Sequence, residues 1–284
     1  MKKIISFVDG SIYTQSVCDH AAWAATRTGA SIDVVHVLGR RDISSTPVDL
    51  SGTLEAETQA TLLKELADLD AQRARLSQQR GRVVVDDAKA RLLADGVADV
   101  TAKLRNGDVV EAVHELEADA DLVVVGKRGS AADFARLHLG SNLERVVRVA
   151  RKPVLVASRA FQPIGRFLIA FDGGPSVMRA IGHIAAGPLF KGLECRMLMV
   201  GHDTPEARSK LEAAAALLRD AGYAVEADLR PGEPEGIISA NVESGGINLL
   251  VMGAYGHSRI RNLIIGSTTS EMVRLCKVPV MLFR

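Results

Sequence analysis

At 284 residues the chain is longer than a single hydrophobic core usually serves, so length alone points to two domains. Hydrophobic residues make up 47% and charged residues 24% of it, a balance that excludes an intrinsically disordered protein. Thirty-five Lys and Arg against 34 Asp and Glu leave a net charge of +1, which excludes a broadly basic nucleic-acid-binding surface, and no apolar run of about 18 residues is present to span a bilayer as a helix.

After Met1-Lys2-Lys3 comes Ile4-Ile5-Ser6-Phe7-Val8, an apolar run that ends in Asp9-Gly10 and reads as a first strand and turn rather than a secretory signal. A cytoplasmic protein is therefore expected. Helical spacing over 13–27 stops at Gly29, and a β-branched strand follows over 32–38. A long insertion, about 40–95, contains a highly charged helical stretch over 54–79. The pattern then predicts a strand over 97–104, a helix over 108–118, a strand over 122–125, a helix over 141–149 and a strand over 154–157. A linker with Pro163 and Gly165 leads to a second series: strand to 171, helix 176–186, strand 195–200, helix 205–220, strand 223–229, helix 234–243, strand 247–252, helix from 267 and strand 278–283. Short apolar strands alternating with helices imply parallel sheets covered on both faces.

The second series repeats the first. Ile4 to Gly10 matches Phe167-Leu168-Ile169-Ala170-Phe171-Asp172-Gly173, each an apolar run ending in Asp-Gly. Gly126-Lys127-Arg128-Gly129, Gly140-Ser141 and the terminal strand of the first half match Gly253-Ala254-Tyr255-Gly256, Gly266-Ser267 and the terminal strand of the second. Two tandem domains, 1–158 and 165–284, are expected. The halves differ chiefly in the insertion, whose charged helix reads first as a solvated face.

In an open parallel sheet, ligands sit at the carboxyl ends of strands where the strand order reverses. Each half places an Asp-Gly turn and a glycine loop at such ends. Glycines permit close backbone approach, and a helix opening at Gly266-Ser267-Thr268 offers unpaired amides and a positive dipole end to an anion such as phosphate. Asp172, on the opposite wall, suits a base or ribose, or a divalent cation shared with phosphates. Lys127 and Arg128 lend charge to the first loop; His257 and Arg259 do so in the second, where Tyr255 is placed to close over a ligand. The plainer reading is that these are turn glycines and N-cap serines, with Ser141 and Glu144 forming a capping box. The ordered combination of strand, G-x-x-G, spacer, G-S and helix favours the functional reading.

No Walker-type P-loop, dinucleotide fingerprint or G-x-S-x-G elbow occurs. Cys18, Cys195 and Cys276 lack metal-ligand or disulfide spacing, and the seven histidines are scattered, so no metal site is expected.

The repeat resembles the universal stress protein family, in its tandem two-domain form. The second half matches that family's G-x2-G-x9-G-[ST] signature in full, whereas the first has one extra spacer residue and places Asn142 where the second has Thr268. The resemblance implies two open, Rossmann-like α/β sheets of strand order 3-2-1-4-5 with helices on both faces, paired through their last strands. It also implies adenine-nucleotide binding, ATP or AMP with or without magnesium. The implied contacts are Phe171, Asp172, Val200, Gly253, Gly256, Gly266, Ser267 and Thr268 in the second half, and Val8, Asp9, Val37, Gly126, Gly129, Gly140, Ser141 and Asn142 in the first. The expected role is a stress-associated nucleotide-binding sensor or adaptor, with the better site in the second half. Two alternatives stay open: a slow magnesium-dependent ATP hydrolase, and a structural or interaction protein that binds no nucleotide. A further homodimer is compatible with either.

Overall fold

A computed structural model describes residues 1–39, 56–127, 141–254 and 267–284. The first half contains β1 (Lys3–Phe7), α1 (Thr14–Thr28), β2 (Ser31–Leu38), α2 (Ala56–Ala94), β3 (Val100–Asn106), α3 (Val109–Leu116), β4 (Leu122–Gly126), α4 (Ser141–Val149) and β5 (Val154–Ala157). The second contains β6 (Arg166–Ala170), α5 (Pro175–Ala186), β7 (Glu194–Val200), α6 (Pro205–Asp220), β8 (Val225–Arg230), α7 (Pro234–Ser244), β9 (Leu249–Gly253), α8 (Ser267–Leu275) and β10 (Val280–Phe283).

The sheet runs in the order β3-β2-β1-β4-β5-β10-β9-β6-β7-β8. Within each half this is the expected 3-2-1-4-5 order, all parallel. The two halves meet where β5 and β10 pair antiparallel, with Leu155 opposite Met281. Side chains alternate between the faces, as the pleat requires. Ile4, Leu122 and Val124 join α1, α2, α5 and α6 in one apolar layer. Ile5, Val123 and Val125 join α3, α4, α7 and α8 in the other. The strands are thus buried on both faces, which explains their near-continuous apolar runs.

Local chemistry sets the helix ends. Gly29 closes α1 in the left-handed region (φ 68°). The Asp108 carboxylate accepts from the Val110 N–H at 2.7 Å to start α3. Thr204 accepts from Ala207 N–H at 3.2 Å ahead of Pro205, which opens α6.

The insertion differs from its sequence-based expectation. The helix does not stop near 79 but runs unbroken for 39 residues, against 16 in its counterpart α6. Gly81 and the β-branched run Val83-Val84-Val85 weaken the local helix signal, but tertiary packing supplies the reason for them. A Cβ on Gly81 would stand 2.6 Å from Leu104 Cδ1 and 3.1 Å from His36 Cδ2, so glycine lets the helix lie close on the sheet without displacing those side chains. Beyond it Val85, Ala88 and Leu92 are buried in the core.

Candidate functional site

Strand order reverses between β1 and β4 in the first half and between β6 and β9 in the second. Ser6 pairs with Val124 and Ala170 with Met252, so continuing the register two residues in the first half and one in the second brings Val8 beside Gly126 and Phe171 beside Gly253. The register is the same in both halves, and it brings Asp9 and Asp172 to the carboxyl edge next to the start of a glycine loop. Val37 and Val200 lie at the ends of β2 and β7, two residues past the carbonyls of Val35 and Leu198 that accept from Val8 and Phe171 N–H.

Each aspartate shapes its own turn. Asp172 Oδ1 accepts the Gly174 N–H at 2.8 Å, and Asp9 Oδ1 accepts the Ser11 N–H at 3.0 Å. The intervening Gly173 and Gly10 adopt φ 71° and 72°, which L side chains avoid. Asp-Gly is therefore required by the turn itself, whatever else it binds. The residues before the aspartates are buried. Val8 and Phe171 are 4% exposed and belong to the core, and the Phe171 ring lies beneath Gly173. Only their backbone reaches the edge.

On the other wall, Gly253 closes against the start of α5. A Cβ there would meet Ser176 Cβ at 3.0 Å and the Val177 nitrogen at 3.4 Å. Thr269, which sequence reasoning passed over, is buried and donates its hydroxyl to the Gly253 carbonyl at 3.1 Å, tying the end of β9 to the first turn of α8. Thr268 donates to Glu235 Oε1 of α7 at 2.7 Å. Ser267 is exposed at the head of α8. A phosphate entering here meets the amide end and dipole of α8, the Ser267 hydroxyl, and the Glu235 carboxylate, which opposes it.

The first half is built from similar parts with several differences. Leu143 stands where the second half has Thr269, so no hydroxyl ties α4 back to Gly126. Arg145 pairs with Asp108 at 2.8 Å, and Asn142 is exposed. Lys127, expected to lend charge to its loop, donates to the Cys276 carbonyl of the second half at 2.9 Å. In addition, α2 presses on the Asp9-Gly10 turn: a Cβ on Gly10 would lie 2.9 Å from Val84 Cγ2, whereas nothing from α6 comes within 4 Å of that point on Gly173.

Gly129, Gly140, Gly256 and Gly266, together with Arg128, Tyr255, His257 and Arg259, lie outside the described residues, as does the Ser141 side chain of the expected capping box. Among the described residues no cluster of three or more His, Cys, Asp or Glu forms a metal site. No described helix is long and apolar enough to cross a membrane. The three cysteines are buried; burial pushes Cys18 and Cys195 up to about 12, which leaves them protonated and unreactive.

Comparison with known proteins agrees with this architecture. The model of the universal stress protein family matches residues 1–158 and 196–284. The chain is 37% identical over 287 residues to universal stress protein Slr1230 of Synechocystis, covering 100% of both chains. Among solved structures, a universal stress protein from Archaeoglobus fulgidus superposes with a TM-score of 0.74 at 18% identity, covering 99% of this chain and 96% of that one. A protein from Pseudomonas aeruginosa described as a putative universal stress protein superposes with a TM-score of 0.63 at 14% identity, covering 100% and 93%. With a family match over most of its length and a relative aligned from end to end, the chain belongs to the universal stress protein family.

Proposed function

We propose that this protein binds an adenine nucleotide, ATP or AMP, at the carboxyl edge of β6 and β9, and that it works as a sensor or adaptor of two units, 1–158 and 165–284. The observation that carries this reading is the juxtaposition of the Asp172 turn, Gly253 and the head of α8 at the switch point of the second half, where the family signature is complete. Adenosine sits beside Asp172 and Val200, and phosphates lie against Ser267 and the amides of α8. A triphosphate brings its magnesium, which offsets the Glu235 carboxylate. Both carboxylates at this edge are engaged in positioning, Asp172 with Gly174 and Glu235 with Thr268, and this supports binding over rapid turnover. Crowding of Asp9-Gly10 by α2 and the altered spacer of the first glycine motif support the first half as the weaker site.

Mass spectrometry of small molecules released by denaturing the purified full chain tests the proposal. One adenine nucleotide per chain, present as purified or after incubation with millimolar ATP and magnesium, is the expected result. None under either condition would overturn it, and two per chain would remove the distinction between the halves.

A further inference from the structure

The amino-terminal part of α2 has no counterpart in the second half. Packing against the sheet begins at Gly81, so residues 56–80 extend the helix by about 37 Å beyond its root at about 1.5 Å per residue. Residues 60–80 are exposed or at most half-buried throughout. On this arm Leu62, Leu69, Leu76 and Val83 recur every seven residues, and Leu69, Leu76 and Val83 are 60%, 65% and 57% exposed. Scattered exposed leucines need no explanation. A heptad stripe, joined by Leu66 on the same face, is the pattern of a helix that pairs with another helix.

The charges identify the partner. Residues 57–70 carry four carboxylates, Glu57, Glu65, Asp68 and Asp70, against the single Lys64; residues 71–82 carry Arg73, Arg75, Arg80 and Arg82 and no acid. The arm is therefore acidic in its outer half and basic near its root. A parallel pairing would stack Arg73 on Arg73 and Arg80 on Arg80 along the seam. An antiparallel pairing with a second copy sets each arginine half against an acidic half, and the twofold axis makes both contacts at once.

We propose that the arm of α2 is a homodimerisation element, in which two chains associate through an antiparallel pair of these helices, Leu62 to Val83 forming the seam. A helix pair of about 25 residues a side stands at the small end of specific interfaces, on the order of 1,200 Å², so the dimer is expected to be of micromolar affinity and sensitive to salt. This inference is independent of the nucleotide-binding proposal.

Sedimentation velocity of the full chain from about 1 to 100 µM at low salt is the test. The expected result is concentration-dependent association from the 30.3 kDa monomer to a dimer. The double substitution Leu69→Glu and Leu76→Glu, at exposed positions that leave the packed segment untouched, should weaken dimerisation at least tenfold with an unchanged far-ultraviolet spectrum. Reversal with R75E and R80E should weaken it as well, and adding E65R and D68R to that variant should restore it. Mixing E65C and R80C chains under oxidation should give a disulfide-linked heterodimer in preference to either self-linked form, as antiparallel pairing requires. A chain that stays monomeric at 100 µM, a dimer indifferent to the leucine substitutions, or self-linked products in excess would overturn the proposal.

Discussion

Substituting Asp172 separates two roles that the account gives to one carboxylate. Its Oδ1 accepts the Gly174 N–H at 2.8 Å, and Gly174, the N-cap of α5, has no side chain of its own with which to cap the helix. Asp172→Ala removes that acceptor and costs about 0.5–2 kcal/mol, a fall of about 1–8 °C in melting temperature at about 2–4 °C per kcal/mol. Asp172→Asn keeps an oxygen in the same place and costs less than about 0.5 kcal/mol, since only the charge is lost. Nucleotide binding ranks differently. A charge-assisted hydrogen bond to a ribose hydroxyl contributes about 1.5–3 kcal/mol, so Asp172→Ala weakens binding by roughly 10- to 150-fold, whereas Asp172→Asn retains a neutral bond and loses about fivefold. Thermal unfolding and calorimetric titration with ATP and magnesium measure the two effects on the same samples. Equal losses of melting temperature in the two variants would refute the turn role, and an unchanged affinity in Asp172→Ala would refute the ligand role.

Two further outcomes follow from contacts elsewhere. Asp33 on β2 accepts from Lys103 at 2.7 Å and pairs with Lys3 at 3.0 Å; burial alone would raise its carboxyl pKa, but these two ammonium groups together hold it below the ordinary value of 3.8. Because the folded-state value is the lower one, the contribution of Asp33 is complete above pH 3.8 and is lost as the pH falls from there through the folded-state value. Asp33→Asn should therefore destabilise the chain by about 1–2 kcal/mol at neutral pH, the partly exposed lysines being screened, and the gap to wild type in urea unfolding should close below pH 4. A gap that persists unchanged in acid would contradict this. Thr269→Val keeps the buried volume but removes the hydroxyl bound to the Gly253 carbonyl, costing about 0.5–1.5 kcal/mol and weakening nucleotide binding severalfold. Leu143→Val, which deletes a buried methylene and no hydroxyl, should cost about 1 kcal/mol in thermal unfolding yet leave nucleotide affinity unchanged in calorimetric titration.

The strands, their parallel sense and the two Asp-Gly turns are legible in the sequence because they rest on local, repeated signals, whereas the strand order follows from the family resemblance. Asp9-Gly10 and Asp172-Gly173 declare the turns that their positive φ values require, and apolar runs buried on both faces declare parallel strands. What was not legible depends on tertiary neighbours. Glu235 reads as an ordinary acidic residue in a first helical turn, and only the side-by-side placement of α7 and α8 brings its carboxylate to Thr268. Thr269 is the third residue of its helix, where a position facing back to the sheet could have been inferred, yet the Gly253 carbonyl it meets is set by strand register. Gly81 reads as a helix breaker until Leu104 and His36 are seen beneath it. Likewise, nothing in the order of residues 127–129 indicates that Lys127 reaches Cys276 in the other half.

The central claim, that the head of α8 receives the phosphates of an adenine nucleotide, is tested most directly by calorimetric titration of the full chain and of Ser267→Asp with ATP and magnesium. An aspartate at the first position of α8 suits the helix dipole and should leave the melting temperature unchanged or slightly raised, while its carboxylate occupies the place of the phosphate. One nucleotide is expected to bind per wild-type chain, with at least a tenfold loss of affinity in Ser267→Asp. Equal affinity in the two proteins, or no binding by the wild type at millimolar nucleotide, would contradict it.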